Sequence, residues 1–446
     1  MKRKAVGLLL VGFVLLALLG CGGASKGTQV TLKIWWWGEQ EAPGLKNFME
    51  KAFATYMNEN PNIKIEPVLQ EIDTLYPAFR ASAKAKEGPD IQYFWGGTQA
   101  LEDVWMGSVA PLSDYWSAED LAILPYFQRA ETFWDGKQWC MPFYQYGSPI
   151  GYNKKLFAKA GLDPENPPKT WDEFLVACEK LKKAGIIPIG AGIKDGYFGG
   201  WIISYLGQQN MDSPQDLMDI ITGKDAAGYT DPENYEWIAR LKELWSKGYF
   251  NQDIMSLDLY QGQQLYEAGS AAMTMAAEPY FAVMERKQGK DTVAVMKNPV
   301  FGKGKMAYST GVPSQVLAIT SFSKHKKEAA KFLKFLHRED MMKLMYEDAG
   351  AIAPDKGFKD EWLNTQVDKD IVKWSKEMPL FWYQYYYPMA FEQTGTGVNS
   401  IVQQIFAENI SAEQAGKNLQ NALIKWRTQN TEQFAAFSKW KLLEKK

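Results

Sequence analysis

Histidine is nearly missing from this chain. Among 446 residues there are two, His325 and His337, and both read as part of a Lys-rich helical surface. A Ser-His-Asp or Cys-His site needs an imidazole in a cleft, so hydrolases of that kind are disfavoured. Cysteine is scarce as well, with Cys21, Cys140 and Cys178 alone. Metal sites built from His and Cys need clustered ligands, and the sequence has no such cluster. No G-x-x-x-x-G-K-[ST] or G-x-G-x-x-G joins a strand to a helix; Gly302-Lys303-Gly304-Lys305 reads as a loop or hairpin. No metal and no cofactor is expected. A basic excess is also lacking, with 50 Lys and Arg against 52 Asp and Glu, which argues against nucleic acid as a partner.

Long apolar runs are confined to the N-terminus. Lys2, Arg3 and Lys4 precede the uncharged stretch 5–20, which ends Leu18-Leu19-Gly20-Cys21. A basic n-region, an apolar h-region and a small residue before the cut define a secretory signal. The run is short of the roughly 20 residues that a spanning helix needs. Leu-Leu-Gly-Cys also matches the bacterial lipobox, in which Cys21 is acylated before cleavage. Residues 1–20 are then a signal peptide, and 21–29 a polar tether. Several acyl chains on Cys21 would supply stable membrane attachment. Removing the three leader cations leaves 47 Lys and Arg against the same 52 acids, a mildly acidic body. The remaining length suggests two domains or more. Cys140 and Cys178 could pair in an oxidising compartment, but Cys178 lies on the apolar stripe of its helix and reads as core.

Periodicity gives the order of elements. Residues 30–36 alternate and form the first strand. Leu45, Phe48, Met49, Ala52, Phe53 and Tyr56 follow helical spacing. Strands at 63–68 and 90–95, with a helix at 75–86 between them, predict a parallel, doubly wound sheet. Such sheets bind ligands in the crevice at their strands' carboxyl ends, where Trp35-Trp36-Trp37-Gly38 and Trp95-Gly96-Gly97 fall. The stretch 139–171 organises the rest: a proline–aromatic strand, Tyr152-Asn153-Lys154, a short helix, a proline loop, and a capping box at Thr170 and Glu173. Later segments predict strands at 186–189, 270–276, 293–296 and 316–319, with helices at 235–247, 325–336 and 339–347. Glu278-Pro279-Tyr280 ends the 270–276 strand. The tail from Ser411 opens on a second capping box with Gln414.

Aromatic residues are the positive signal, with 17 Trp and 22 Tyr, many beside turns. Sugars offer C–H faces for such rings and hydroxyls for a few placed polar groups, in a concave site. Trp171, Trp245 and Trp426 lie on apolar helical faces and read as core. Trp36, Trp37, Trp95 and Trp201 end strands or adjoin glycines and read as binding residues. Six aromatics within 381–387 cannot all face one core, so some belong at a surface or a cleft. Paired carboxylates with aromatic walls would also suit a glycoside hydrolase. Glu39, Glu278 and Glu392 are the candidates there, each otherwise an acceptor for sugar hydroxyls.

In this order the pieces resemble bacterial extracellular solute-binding protein family 1, the sugar-binding lipoproteins of ABC importers. The likeness runs through the lipobox, Gly88-Pro89-Asp90, the 142–153 crossing, Pro168-Lys169-Thr170-Trp171-Asp172-Glu173, and Gly269 to Met273. It continues into the 316–319 strand and the 329–336 helix. The resemblance implies an α/β, two-lobed periplasmic-binding-protein-like fold, each lobe a doubly wound sheet flanked by helices. The N-lobe would comprise 28–143 and 314–370, the C-lobe 144–313 and 371–446. Hinge crossings are implied near 143–145, 311–314 and 368–377. The family's ligand contacts would map onto Trp36, Trp37, Glu39, Trp95, Tyr146, Trp201, Glu278, Gln315, Trp382 and Tyr385. Pro313-Ser314 and Ala277-Glu278-Pro279-Tyr280 depart from the family pattern, and a carboxylate in place of an aromatic wall favours a more polar ligand. The implied role is extracytoplasmic, lipid-anchored capture of a sugar or oligosaccharide by hinge closure. The ligand would pass to permease subunits, without catalysis and as a monomer. A polyol, peptide or polyamine receptor and a secreted glycosidase are the rivals.

Overall fold

The computed structural model describes residues 29–309, 311–393, 395 and 397–442. The expected signal peptide, Cys21 and all but the last residue of the tether lie outside the described residues. Among those described, no helix is long and apolar enough to cross a membrane, and no group of three His, Cys, Asp or Glu could hold a metal.

The strands in chain order are β1 Val30–Trp36, β2 Ile63–Leu69, β3 Ile91–Trp95, β4 Val109–Ala110, β5 Phe133–Trp134 and β6 Lys137–Gln138. They continue as β7 Met141–Gln145, β8 Ile150–Asn153, β9 Ile187–Ile189, β10 Ala271–Met275, β11 Val293–Met296 and β12 Ser314–Thr320. The first lobe is built on a sheet in the order β2-β1-β3-β12-β4, with β7 also paired to β12. The second is built on β11-β8-β10-β9. Short β5 and β6 form a hairpin.

The parallel pairing expected of the first three strands holds for β2-β1-β3, and the strands added later run differently. Strand β12 runs antiparallel to β3, β4 and β7, and β8 runs antiparallel to both β10 and β11. Both sheets are therefore mixed. The cause is chain path: β12 re-enters the first sheet from the second lobe, so no βαβ crossover fixes its direction. All seven of its residues are buried, as befits a strand covered on both faces.

Helix Leu45–Glu59 buries Leu45, Phe48, Met49, Ala52, Phe53 and Tyr56, the stripe set by its spacing. It meets helix Lys326–Leu336 through Phe53 and Tyr56, whose rings lie 5.9 and 5.1 Å from that of Phe332. Thr170 and Glu173 form the expected capping box of helix Trp171–Lys183, and the Ser411 hydroxyl accepts from the Gln414 amide at 3.1 Å. Glu278 does not simply end β10. It opens helix Glu278–Gln288, with Pro279 in the first turn, where a missing N–H costs nothing. Cys140 and Cys178 are free thiols, both buried.

His337 is not a surface residue. It is buried, with Nδ1 2.8 Å from Asp355 Oδ2 and Nε2 3.0 Å from the Pro142 carbonyl. It closes helix Lys326–Leu336 against β7, a tertiary contact invisible to local spacing.

Two crossings between the lobes lie side by side. The Tyr146 amide donates to the Pro313 carbonyl at 3.3 Å and the Ser148 amide to that of Gly311 at 2.9 Å. Gly147 and Gly311 leave no room for a side chain: an added Cβ would lie 2.4 Å from Ile371 and 2.5 Å from the Trp382 ring, respectively. The stretch 368–377, expected as a third crossing, is the body of helix Gln366–Glu377. That helix is fastened to Glu278–Gln288 where Glu285 accepts from the amides of Gln366 and Val367, both at 2.9 Å. At the other end of the chain, helix Thr431–Phe437 and Trp440 pack on Trp105, Phe133 and Trp134.

Candidate functional site

Strand β1 delivers the chain to a turn that only glycine can make. Gly38 has φ +136°, and a Cβ there would lie 2.6 Å from Leu45 and 2.7 Å from the Tyr144 hydroxyl. The turn divides two carboxylates. Glu39 accepts from the amides of Gly44 at 2.9 Å and Lys46 at 2.6 Å, and so caps helix Leu45–Glu59, whose own N-cap glycine has no side chain to offer. Glu41, two residues on, enters the interlobe cavity. Trp95 Nε1 donates to one of its oxygens at 3.3 Å and the Tyr144 hydroxyl to the other at 3.1 Å. Burial pushes its carboxyl up to about 8, against the pull of hydrogen bonds from Trp95, Tyr144 and Tyr146.

Strand β3 ends in Trp95, which stacks on Tyr76 at 5.6 Å and leans on Trp37 at 5.2 Å. Gly97 then turns the chain at φ +61°, where a Cβ would lie 2.1 Å from the Tyr385 carbonyl oxygen. The following helix, Thr98–Trp105, brings Gln99 to the cavity. From the second lobe, the rings of Tyr146 and Trp201 are stacked nearly parallel, their planes 7° apart with centroids at 6.2 Å. Trp382 buttresses Trp201 edge-on at 5.4 Å. Tyr385 is held by Gln315, whose Nε2 donates to its hydroxyl at 3.2 Å while Oε1 accepts from Tyr93 at 2.9 Å. Glu392 completes the polar set, accepting from Gln384 at 2.9 Å and Gln99 at 3.4 Å. Burial raises its carboxyl to about 7, opposed by its hydrogen bonds.

Of the ten expected binding residues, the cavity lining holds Trp95, Tyr146, Trp201 and Tyr385. Trp37, Gln315 and Trp382 stand one layer behind, each touching a lining ring. Trp36 is buried in the sheet, Glu39 caps a helix, and Glu278 sits at the hinge. There Glu278 accepts from the Gly147 amide at 2.9 Å, and its carboxyl is pushed well up by burial and by Asp368 beside it. Sequence reasoning missed Glu41, Ile72, Gln99, Tyr197, Leu259, Tyr260 and Gln384 as lining residues. Glu392 it had raised as one of a hydrolase pair or, otherwise, as an acceptor for sugar hydroxyls. Tyr197 and Glu41 adjoined predicted turns; Gln99 and Tyr260 carry no local signal. Within 381–387, Trp382, Tyr383, Tyr385, Tyr386 and Tyr387 are all buried.

The cavity leaves about 50 Å3 for water centres, room for a few waters at about 10–15 Å3 each. The two lobes also touch directly, the Tyr197 hydroxyl donating to Asp73 at 2.7 Å. This is a closed cleft, and a sugar ring could enter only after it opens.

Solved structures share this architecture. A chitin oligosaccharide binding protein superposes with a TM-score of 0.79 at 23% identity, over 90% of this chain and 99% of that one. A solute-binding protein in complex with raffinose gives 0.72 at 18%, over 88% and 98%. Among relatives by sequence, a candidate binding protein of Brucella abortus (strain 2308) is 24% identical over 79% of this chain and 82% of its own length. The sn-glycerol-3-phosphate-binding periplasmic protein UgpB of Escherichia coli (strain K12) is 27% identical over 63% and 65%. The family model described as bacterial extracellular solute-binding protein matches residues 38–343, well over half of the sequence, and the chain belongs to that family.

Proposed function

We propose that this protein is the extracytoplasmic, lipid-anchored substrate-binding subunit of an ABC importer, and that it captures a sugar or oligosaccharide between its lobes. The carrying observation is one cavity that joins the Tyr146–Trp201 wall, Trp95 and Tyr385 with the amides Gln99 and Gln384 and the carboxyls Glu41 and Glu392. Flat rings suit the C–H faces of a pyranose, and the amides and carboxyls suit its hydroxyls. Neighbours in complex with raffinose and stachyose support the ligand class. Ligand bridges the lobes, adds contacts available only in the closed form, and shifts the hinge equilibrium toward it. The closed monomer then docks on the permease and releases its ligand unchanged. The lobes divide near the paired crossings at 146–148 and 311–313.

Intrinsic tryptophan fluorescence tests this, since Trp95 and Trp201 line the site. Residues 21–446 with Cys21→Ala, titrated with mono- and oligosaccharides, should give a saturable change at micromolar sugar. Chromatography after long incubation should recover the sugar intact. Cleavage products would replace the receptor with a hydrolase.

A further inference from the structure

Among the described residues, every charged group lining the cleft is negative. Glu41 and Glu392 line the inner cavity, and Asp73 and Asp195 line the adjoining one of about 300 Å3, which shares Ile72, Trp95 and Tyr197 with it. Neither lining includes Lys, Arg or His. Arg80, which packs over Tyr76 at 5.4 Å, is taken up by Glu102 and Asp103 at 3.2 and 3.1 Å. Around the two inner carboxyls stand six aromatic rings: Trp95, Tyr146, Tyr197, Trp201, Tyr260 and Tyr385.

From this juxtaposition we infer that the ligand carries a protonated amino group, so that the receptor selects amino-bearing saccharides over their neutral and phosphorylated counterparts. The inference rests on the sugar-receptor reading above and names its ligand class. A closed cleft buries Glu41 and Glu392 with only neutral donors as partners. Buried charge without a counter-charge is costly, and hydroxyls compensate it only in part. An ammonium group satisfies both demands at once, by ion pairing with the carboxylates and by lying against the ring faces. The weakened acidity of both carboxyls in the empty closed form is what burial without a counter-charge produces. A phosphate ester, the ligand named for the UgpB relative, would meet like charge at both cavities and no cation.

The test uses residues 21–446 with Cys21→Ala at pH 7 and low salt, by calorimetric titration. Probes are glucosamine disaccharide and trisaccharide with free amines, their N-acetylated and 2-hydroxyl counterparts, a sugar phosphate and a linear diamine. Free-amine saccharide should bind at least tenfold tighter than either neutral counterpart, with no uptake of sugar phosphate. Glu41→Gln with Glu392→Gln should reduce the preference to under threefold. Asp73→Asn, at the exposed mouth, should reduce it about twofold even if the double variant fails to fold. Binding of the diamine with no response to any saccharide would keep the amine inference and sink the sugar reading. Equal or tighter binding of neutral sugars would overturn the inference and leave the sugar reading standing. Silence toward every amine probe would overturn it too.

Discussion

Closure of the empty cleft should be governed by pH through Glu41. In the closed form its carboxyl is raised from the ordinary 4.5 to about 8 by burial. Opening the lobes returns it to water and to its ordinary acidity. A group whose acidity is weakened in the closed state favours that state when protonated. Its contribution is therefore present in full below about pH 4.5 and is lost as pH rises toward 8. Each tenfold in acidity is worth about 1.4 kcal/mol. At pH 7, roughly 2.5 tenfold steps above 4.5, closure without ligand has lost about 3 kcal/mol relative to acid. Glu392, raised to about 7, acts in the same direction. A free-energy change of that size moves a balanced equilibrium by about three hundredfold. Small-angle scattering of the ligand-free protein should give a smaller radius of gyration at pH 5 than at pH 8. A dye pair on the two lobes should report the same shift. Glu41→Gln, neutral at every pH, should flatten most of the response. A radius that does not change between pH 5 and 8, or a variant that titrates like the parent, would refute the reasoning.

Four further outcomes follow from named contacts. Trp201→Ala and Tyr146→Ala each remove one ring of a stacked pair lining the cavity and should weaken sugar binding about tenfold or more by fluorescence titration, with little loss of melting temperature for Tyr146→Phe. Gly97→Ala places a Cβ 2.1 Å from the Tyr385 carbonyl at φ +61°, and should cost roughly 1–3 kcal/mol of stability in denaturant melts. His337→Ala breaks both ties to Asp355 and Pro142 and leaves buried groups unpaired, so a loss of about 1–3 kcal/mol is expected. Cys21→Ala should move the protein from the membrane fraction to the soluble fraction; unchanged fractionation would argue against acylation.

Much of the fold was written in local pattern. Apolar spacing placed helix Leu45–Glu59 and its buried stripe, and turn chemistry placed the Thr170 capping box. Strand-end position brought Trp95 to the cavity, because parallel strands open their carboxyl ends to a crevice. The site was less legible for a reason visible in Glu39 and Glu41. Both follow the same strand; which one caps the helix and which faces the cleft depends on the φ of Gly38 and on the reach to Lys46. Gln99, Tyr260 and Gln384 come from three distant segments and share no spacing that could link them.

The sequence by itself determined the elements, the α/β class, the family and the aromatic wealth of the strand ends, since these depend on residues within a turn or a strand of one another. Tertiary structure alone decided strand direction in β12, the burial of His337, and the set of side chains that meet between the lobes. Those outcomes depend on contacts across 50 to 300 residues, such as Tyr93 to Gln315, Thr98 to Tyr385 and Gln99 to Glu392.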